Sequence, residues 1–466
     1  MSIDSWLIIS VIVFILAVLG ASIYSFWMKK ASVTDPIIIF LFFFTLFVVP
    51  LPLRTCFTKV DVGDVTEHLT SILPYMPFAV LLSAAGLPLF VWSYYSRFAK
   101  GLSMKAPIPK TGNHGRRAFL FIAGVSLVLF MALARSYGGI VGFLLLGYHN
   151  YEVTSGKGYL WIGLVWLPIA TEFLLYNYAV KKKKTDLLLF VFMSVLLVGM
   201  FLVLGGRAPI VYFGLTVWFF WHHAIKPVPF RKLVFAAFFV FLGLNLVGTL
   251  RESNYESLGQ AWQKASGAAQ SKLDDSESLF YTLTVGEFAV PFETLPQMIK
   301  SVGTDLHPQF GLSYLEAPLL LIPADIFPDR PLGLQNWYMQ RFYGDYYIGN
   351  ENRSFFFLSE GYLNFGPVGV LLTMVIWGLL LGAAHNYIRR ARKEPGAALL
   401  YALTLAFVFR GVAGHFGSWI SAFSSQAIGI AVIGLWVANG RIFGVFKLRA
   451  PASTHADRSK AASAYS

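Results

Sequence analysis

Runs of apolar residues, each closed by a basic cluster, a glycine pair or a lone arginine, recur along the chain from Trp6 to Val437. A helix needs about 20 apolar residues to cross the hydrocarbon of a bilayer, so runs near that length predict membrane spans. The first, Trp6–Met28, stops at Lys29-Lys30, and Pro36–Leu53 and Leu69–Tyr95 follow. A stretch with Arg97, Lys100, Lys105, Lys110, Arg116 and Arg117 then leads into Phe119–Ala134. Ile140–Tyr159 is half apolar and predicts a re-entrant or interfacial segment, a conformation allowed at that depth only beside protein or a watery cavity. Tyr159–Val180 ends at the lysines Lys181–Lys184, Leu187–Leu204 at Gly205-Gly206-Arg207, Ile210–Ile225 at a turn with Lys226, Arg231 and Lys232, and Leu233–Leu250 at Arg251. Leu363–His385, Ala397–Arg410 and Trp419–Val437 bring the expected total to about eleven spans. Basic residues gather at alternate ends of these runs, which puts the N-terminus outside and the C-terminus in the cytoplasm.

Between Arg251 and Gly361 no run is long enough to cross. This interval holds 14 of the 24 acidic residues against seven lysines and arginines, the balance expected of an outer segment. Within it, Leu279–Ile299 predicts an amphipathic helix at the membrane surface, and Leu315–Ile326 a short apolar piece that dips inward. The expected organisation is N-terminal transmembrane helices over residues 1–250, one large outer loop domain over 251–362, C-terminal transmembrane helices over 363–449 and a disordered tail over 450–466.

Composition agrees with this pattern. The chain is 56% hydrophobic and 13% charged, against about 25% charged in soluble domains, so the fold class is an all-α polytopic membrane protein. A net charge of +13 invites a nucleic-acid reading, but the basic residues sit at span ends, where membrane orientation accounts for them. The single cysteine, Cys56, excludes an intrachain disulfide and a cysteine-cluster metal site. No HExxH, clustered His and Asp, phosphate loop or nucleophile elbow is present, so neither a metal nor a cofactor is expected.

The outer face carries a different signal. Its span-end charges are arginines: Arg135, Arg207, Arg251, Arg330, Arg341, Arg353 and Arg410. The planar guanidinium grips phosphate bidentately and stays charged in poorly hydrated sites, so a diphosphate at the outer boundary is the candidate ligand. Simpler readings exist for some of them. Arg251 and Arg341 have Glu252 and Asp345 nearby, and Arg330 sits beside Asp329 in a turn. Glu360, at the mouth of the Leu363 span, and His415, in the turn after Arg410, are the candidate acid or base groups. Their plainer readings are a carboxylate on a helix dipole and a headgroup contact. Charge and aromatic rings concentrate between Pro328 and Phe365, where Trp337, Tyr338, Phe342, Tyr343, Tyr346 and Tyr347 are either sugar platforms or an interfacial belt.

Tyr137-Gly-Gly139, then Gly156-Lys-Gly-Tyr-Leu160, Gly205-Gly-Arg207 and the outer loop closing on Glu360-Gly-Tyr-Leu-Asn-Phe-Gly-Pro-Val-Gly369 together resemble the O-antigen polymerase (Wzy-type) family of oligosaccharide repeat-unit polymerases. The resemblance runs from about Arg135 to His415. It implies a GT-C-like, metal-independent glycosyltransferase in the bacterial inner membrane, with its site facing the periplasm. Its substrates would be undecaprenyl-diphosphate-linked glycans, and a chain-length regulator protein would be a partner beside the bilayer itself. Carried over, it implies catalytic roles for Glu360, His415 and Arg353. Diphosphate contacts would come from Arg135, Arg207, Arg330, Arg341 and Arg410, and glycan contacts from Tyr137, Trp337, Tyr362 and Asn364. An O-antigen ligase and a lipid-linked oligosaccharide flippase are the alternative activities.

Overall fold

The structure is a computed structural model that describes residues 3–57, 65–146, 158–204, 206–229, 289–322, 326–344, 353–391 and 394–440. The expected span Leu233–Leu250, Arg251, Tyr346, Tyr347 and the tail lie outside these residues, as does the side chain of Arg207.

The described residues are helical, and their sole extended pairing is an isolated bridge between Val302 and Leu306. The principal helices are α1 (Ile3–Ile23), α2 (Pro36–Val48), α3 (Met76–Tyr94), α4 (Gly115–Arg135), α5 (Gly158–Lys181), α6 (Lys184–Val203), α7 (Arg207–Phe220), α8 (Val290–Ser301), α9 (Leu334–Phe342), α10 (Phe357–Arg390), α11 (Pro395–Ala406), α12 (Phe416–Ala422) and α13 (Gly429–Ala438). Nine helices among the described residues are long and apolar enough to cross a bilayer, and the chain is a polytopic membrane protein whose described residues form helices and no strand. These nine match nine of the expected runs. The tenth, Ile210–Ile225, is helical as α7 with a π turn at Trp221–Ile225, but α7 itself has only 14 residues.

Helix packing uses small residues where backbones touch. α3 lies along α10, where Gly378-Leu-Leu-Leu-Gly382 forms a GxxxG pair. A Cβ on Gly378 would stand 2.4 Å from the Phe90 carbonyl oxygen, and one on Gly382 2.2 Å from that of Tyr94. The outward face of α10 is a stripe of exposed Val368, Leu372, Ile376 and Leu380 at helical spacing, the pattern of a lipid-facing surface. Between the helices, Phe40, Phe44, Phe90, Phe356, Phe357 and Trp377 form a buried aromatic stack.

One end of the bundle gathers the basic segments and ties them together. Arg390 donates to the carbonyls of Met104 and Ala106, Asn439 to that of Lys110 at 3.0 Å, and Thr111 bonds Glu394. Asp186 pairs with Arg116 and accepts from Asn177 at 2.8 Å. His385 stands 3.7 Å from Asp35. α4, α6 and α11 all start at this end, so Arg135, the backbone of Arg207 and Arg410 lie towards the opposite end.

The interval between α7 and α10 differs from expectation. The predicted surface helix Leu279–Ile299 appears, within the described residues, as α8, and nearly all of its side chains are buried against α10, α3 and α2. The polar groups that suggested a surface location have inner partners. Thr294 meets Ser359 at 2.7 Å and accepts from the Phe356 N–H, and Gln297 donates to Ser301. Leu312–Leu321 is a short apolar helix, as expected of a piece that does not cross.

Candidate functional site

Glu360 owes its position to a break in α10. The helix starts as a limb, Phe357–Asn364, loses helical geometry at Phe365 and Gly366 (φ 61°, ψ −148°), and resumes at Pro367. That region of backbone space is open essentially only to glycine. In a continuous helix Gly361 and Gly369 would be about 12 Å apart along the axis. Here a Cβ on Gly361 would lie 2.7 Å from the Gly369 carbonyl oxygen, so the limb folds back on the crossing part.

Glu360 is 1% exposed. Its Oε1 accepts from Ser313 Oγ at 2.9 Å and its Oε2 from the Phe416 N–H at 2.5 Å. Asn364, one turn on, fixes the same neighbours. Its Oδ1 accepts from the Gly311 N–H, and its Nδ2 donates to Ser313 Oγ and to the Glu360 carbonyl, each at 2.8 Å. Glu360, Ser313, His415, Glu316, Leu320 and Pro331 share one hollow of about 20 Å³, room for about one water.

His415 caps the start of α12. Both its nitrogens face backbone donors, Leu334 N–H on Nε2 at 3.1 Å and Ser418 N–H on Nδ1 at 3.4 Å. A neutral imidazole offers one acceptor nitrogen, so only one contact at a time is a full hydrogen bond, and an imidazolium would accept neither. Burial first, and the Arg410 guanidinium second, push its pKa from 6.5 down to about 3. The expected base is thus a neutral strut joining α12 to α9. Arg410 reaches Ser418 Oγ at 3.4 Å; its Nε is buried without a partner, and no carboxylate pairs with it among the described residues.

The other expected residues do not join this hollow. Arg353 forms an ion pair with Glu293 at 2.6 Å, bonds the Tyr343 hydroxyl and lies over that ring. Burial and Glu293 push the Tyr343 hydroxyl up, so it stays protonated and donates to Glu293 at 2.9 Å. Arg330 donates to the carbonyls of Leu320 and Ile322 at 3.2 and 2.7 Å. Arg341 is exposed. Arg135, also exposed, borders a separate depression of about 490 Å³ with Met131, Gly138 and Gly139. Tyr137 is half-buried against Phe143, and Trp337 packs on Phe342 and Phe355. Tyr362 is buried, and the amide of Asn364 is fully engaged. The outer arginines whose side chains are described, Arg135, Arg330, Arg341, Arg353 and Arg410, therefore do not converge on one cavity.

Ser313 and Glu293 were not singled out by the sequence, and Tyr343 stood out only as one ring of the aromatic run, not as a partner of Arg353. Ser313 touches Glu360 across 47 positions and Glu293 pairs with Arg353 across 60, and neither carries a local pattern. Comparison with family models, curated proteins and solved structures finds no match.

Proposed function

We propose that the protein polymerises lipid-linked glycan repeat units, with the basic end turned to the cytoplasm and the Glu360 end to the periplasm. The observation that carries this reading is that the turn at His415 borders both groups: the Phe416 N–H bonds the buried carboxylate Glu360, and the guanidinium of Arg410, which no carboxylate pairs among the described residues, acts on the His415 ring and reaches Ser418. Such a pair suits transfer from a diphosphate. A hydroxyl of the acceptor glycan attacks the anomeric carbon of the donor and passes its proton to Glu360. The bond from that carbon to the diphosphate oxygen breaks, and undecaprenyl diphosphate leaves with the electron pair. Arg410 meets the charge that develops on it, and His415 holds the two groups in register. A GT-C-like architecture and a bacterial inner-membrane location belong to the same proposal. The hollow of about 20 Å³ admits no sugar, so the segment that bears Ser313 must move aside for substrate.

The test is glycan display in a producing host that carries Arg410→Ala or Glu360→Gln. Removing one such donor costs about 10²–10³ in rate, so the expected phenotype is single repeat units on the surface and no long chains. Loss of all display, single units included, would point to transport instead.

A further inference from the structure

We infer that the segment Gln309–Ile322 lies in the hydrocarbon of the leaflet away from the basic end and closes the Glu360 hollow on its lipid side. The segment is two-faced. Ser313 and Ala317 turn inward to Glu360 and Gly417, whereas Phe310 (76% exposed), Leu312, Leu315 (77%) and Leu321 turn outward. No charge lies on that outer face, since Glu316 lines the hollow.

The lipid-facing stripe of α10 identifies what covers it. Leu380, Ile376, Leu372 and Val368 run up the crossing helix to exposed Phe365 at its break. Gly311 abuts Phe365: a Cβ there would stand 3.4 Å from its Cζ. The exposed apolar side chains of the crossing helix are thus followed, past Phe365, by those of Phe310, Leu312 and Leu315.

The backbone fits the same location, because hydrocarbon demands internal partners for its polar groups. The N–H groups of Gln309 and Phe310 donate to the carbonyls of Leu363 and Asn364, and that of Gly311 to the Asn364 side chain. At the other end Arg330 covers the carbonyls of Leu320 and Ile322. Arg330 thereby gains a role distinct from phosphate binding. It seals the end of a membrane-resting segment and keeps its own backbone at the boundary. Entry to Glu360 is then from the bilayer, by displacement of this segment.

The inference does not depend on the glycan reading. With Cys56→Ser as background, spin labels on Leu315→Cys, Leu372→Cys and Thr304→Cys in anionic-lipid nanodiscs report depth through relaxation by oxygen and by a water-soluble nickel chelate. The Leu315 label is expected to match Leu372, with oxygen access several-fold above nickel access, while the Thr304 label shows the reverse. Nickel access at Leu315 equal to that at Thr304 would overturn the inference. Phe310→Cys repeats the measurement should the Leu315 variant fail to assemble, and the same two outcomes decide it.

Discussion

At the scale of single residues, the buried charges are worth most where they are paired. Glu293 is 4% exposed and Arg353 23%, and Tyr343 bonds both. Glu293→Gln should cost about 3 kcal/mol, the low end for breaking a buried pair because Arg353 keeps some water. Thermal unfolding in detergent measures it, and adding Arg353→Met should return part of the loss. His415 makes a pH-dependent contribution. Its folded pKa is depressed, so the unfolded chain binds the extra proton, and the stability it confers is complete above about 6.5. It falls as pH drops towards 3, by about 1.4 kcal/mol per unit. His415→Asn keeps an N-cap acceptor and should flatten the acid side of the melting-temperature profile relative to the parent protein. Glu360, His415 and Arg410 were legible in the sequence because charged or imidazole groups stand out in apolar surroundings. The Glu293–Arg353 pair was not, since nothing local links positions 60 apart.

Elements follow hydrophobic run length closely, because crossing a bilayer fixes both length and apolarity. That rule set nine helices from sequence and left α8 misplaced, since burial between other helices accepts polar residues that find partners. The fold-back of the Phe357–Asn364 limb was likewise hidden. Phe365-Gly-Pro367 marks a break, but its direction depends on what Gly361 and Gly369 touch. The GxxxG contact of α10 with α3 gives a prediction at this scale. Gly378→Leu forces a side chain onto the Phe90 carbonyl and should destabilise by about 3 kcal/mol or more. Gly124→Leu on α4, where no atom lies within 4 Å, should leave the melting temperature unchanged.

Across the whole molecule, the two ends are built differently. The basic end is laced by bonds between distant segments, Arg390 to Ala106, Asn439 to Lys110 and Glu394 to Thr111. At the other end, Glu360 is held chiefly by the Gln309–Ile322 segment and the start of α12. The break at Gly366 adds a mechanical property. Below it the crossing part of α10 runs roughly 36 Å to Arg390. A straight rod of that length would carry a push from one leaflet to the other. The break at Gly366 takes the short arm bearing Glu360 out of that rod, so a load on the shaft, gripped at its foot, does not pass straight along the helix axis into the arm.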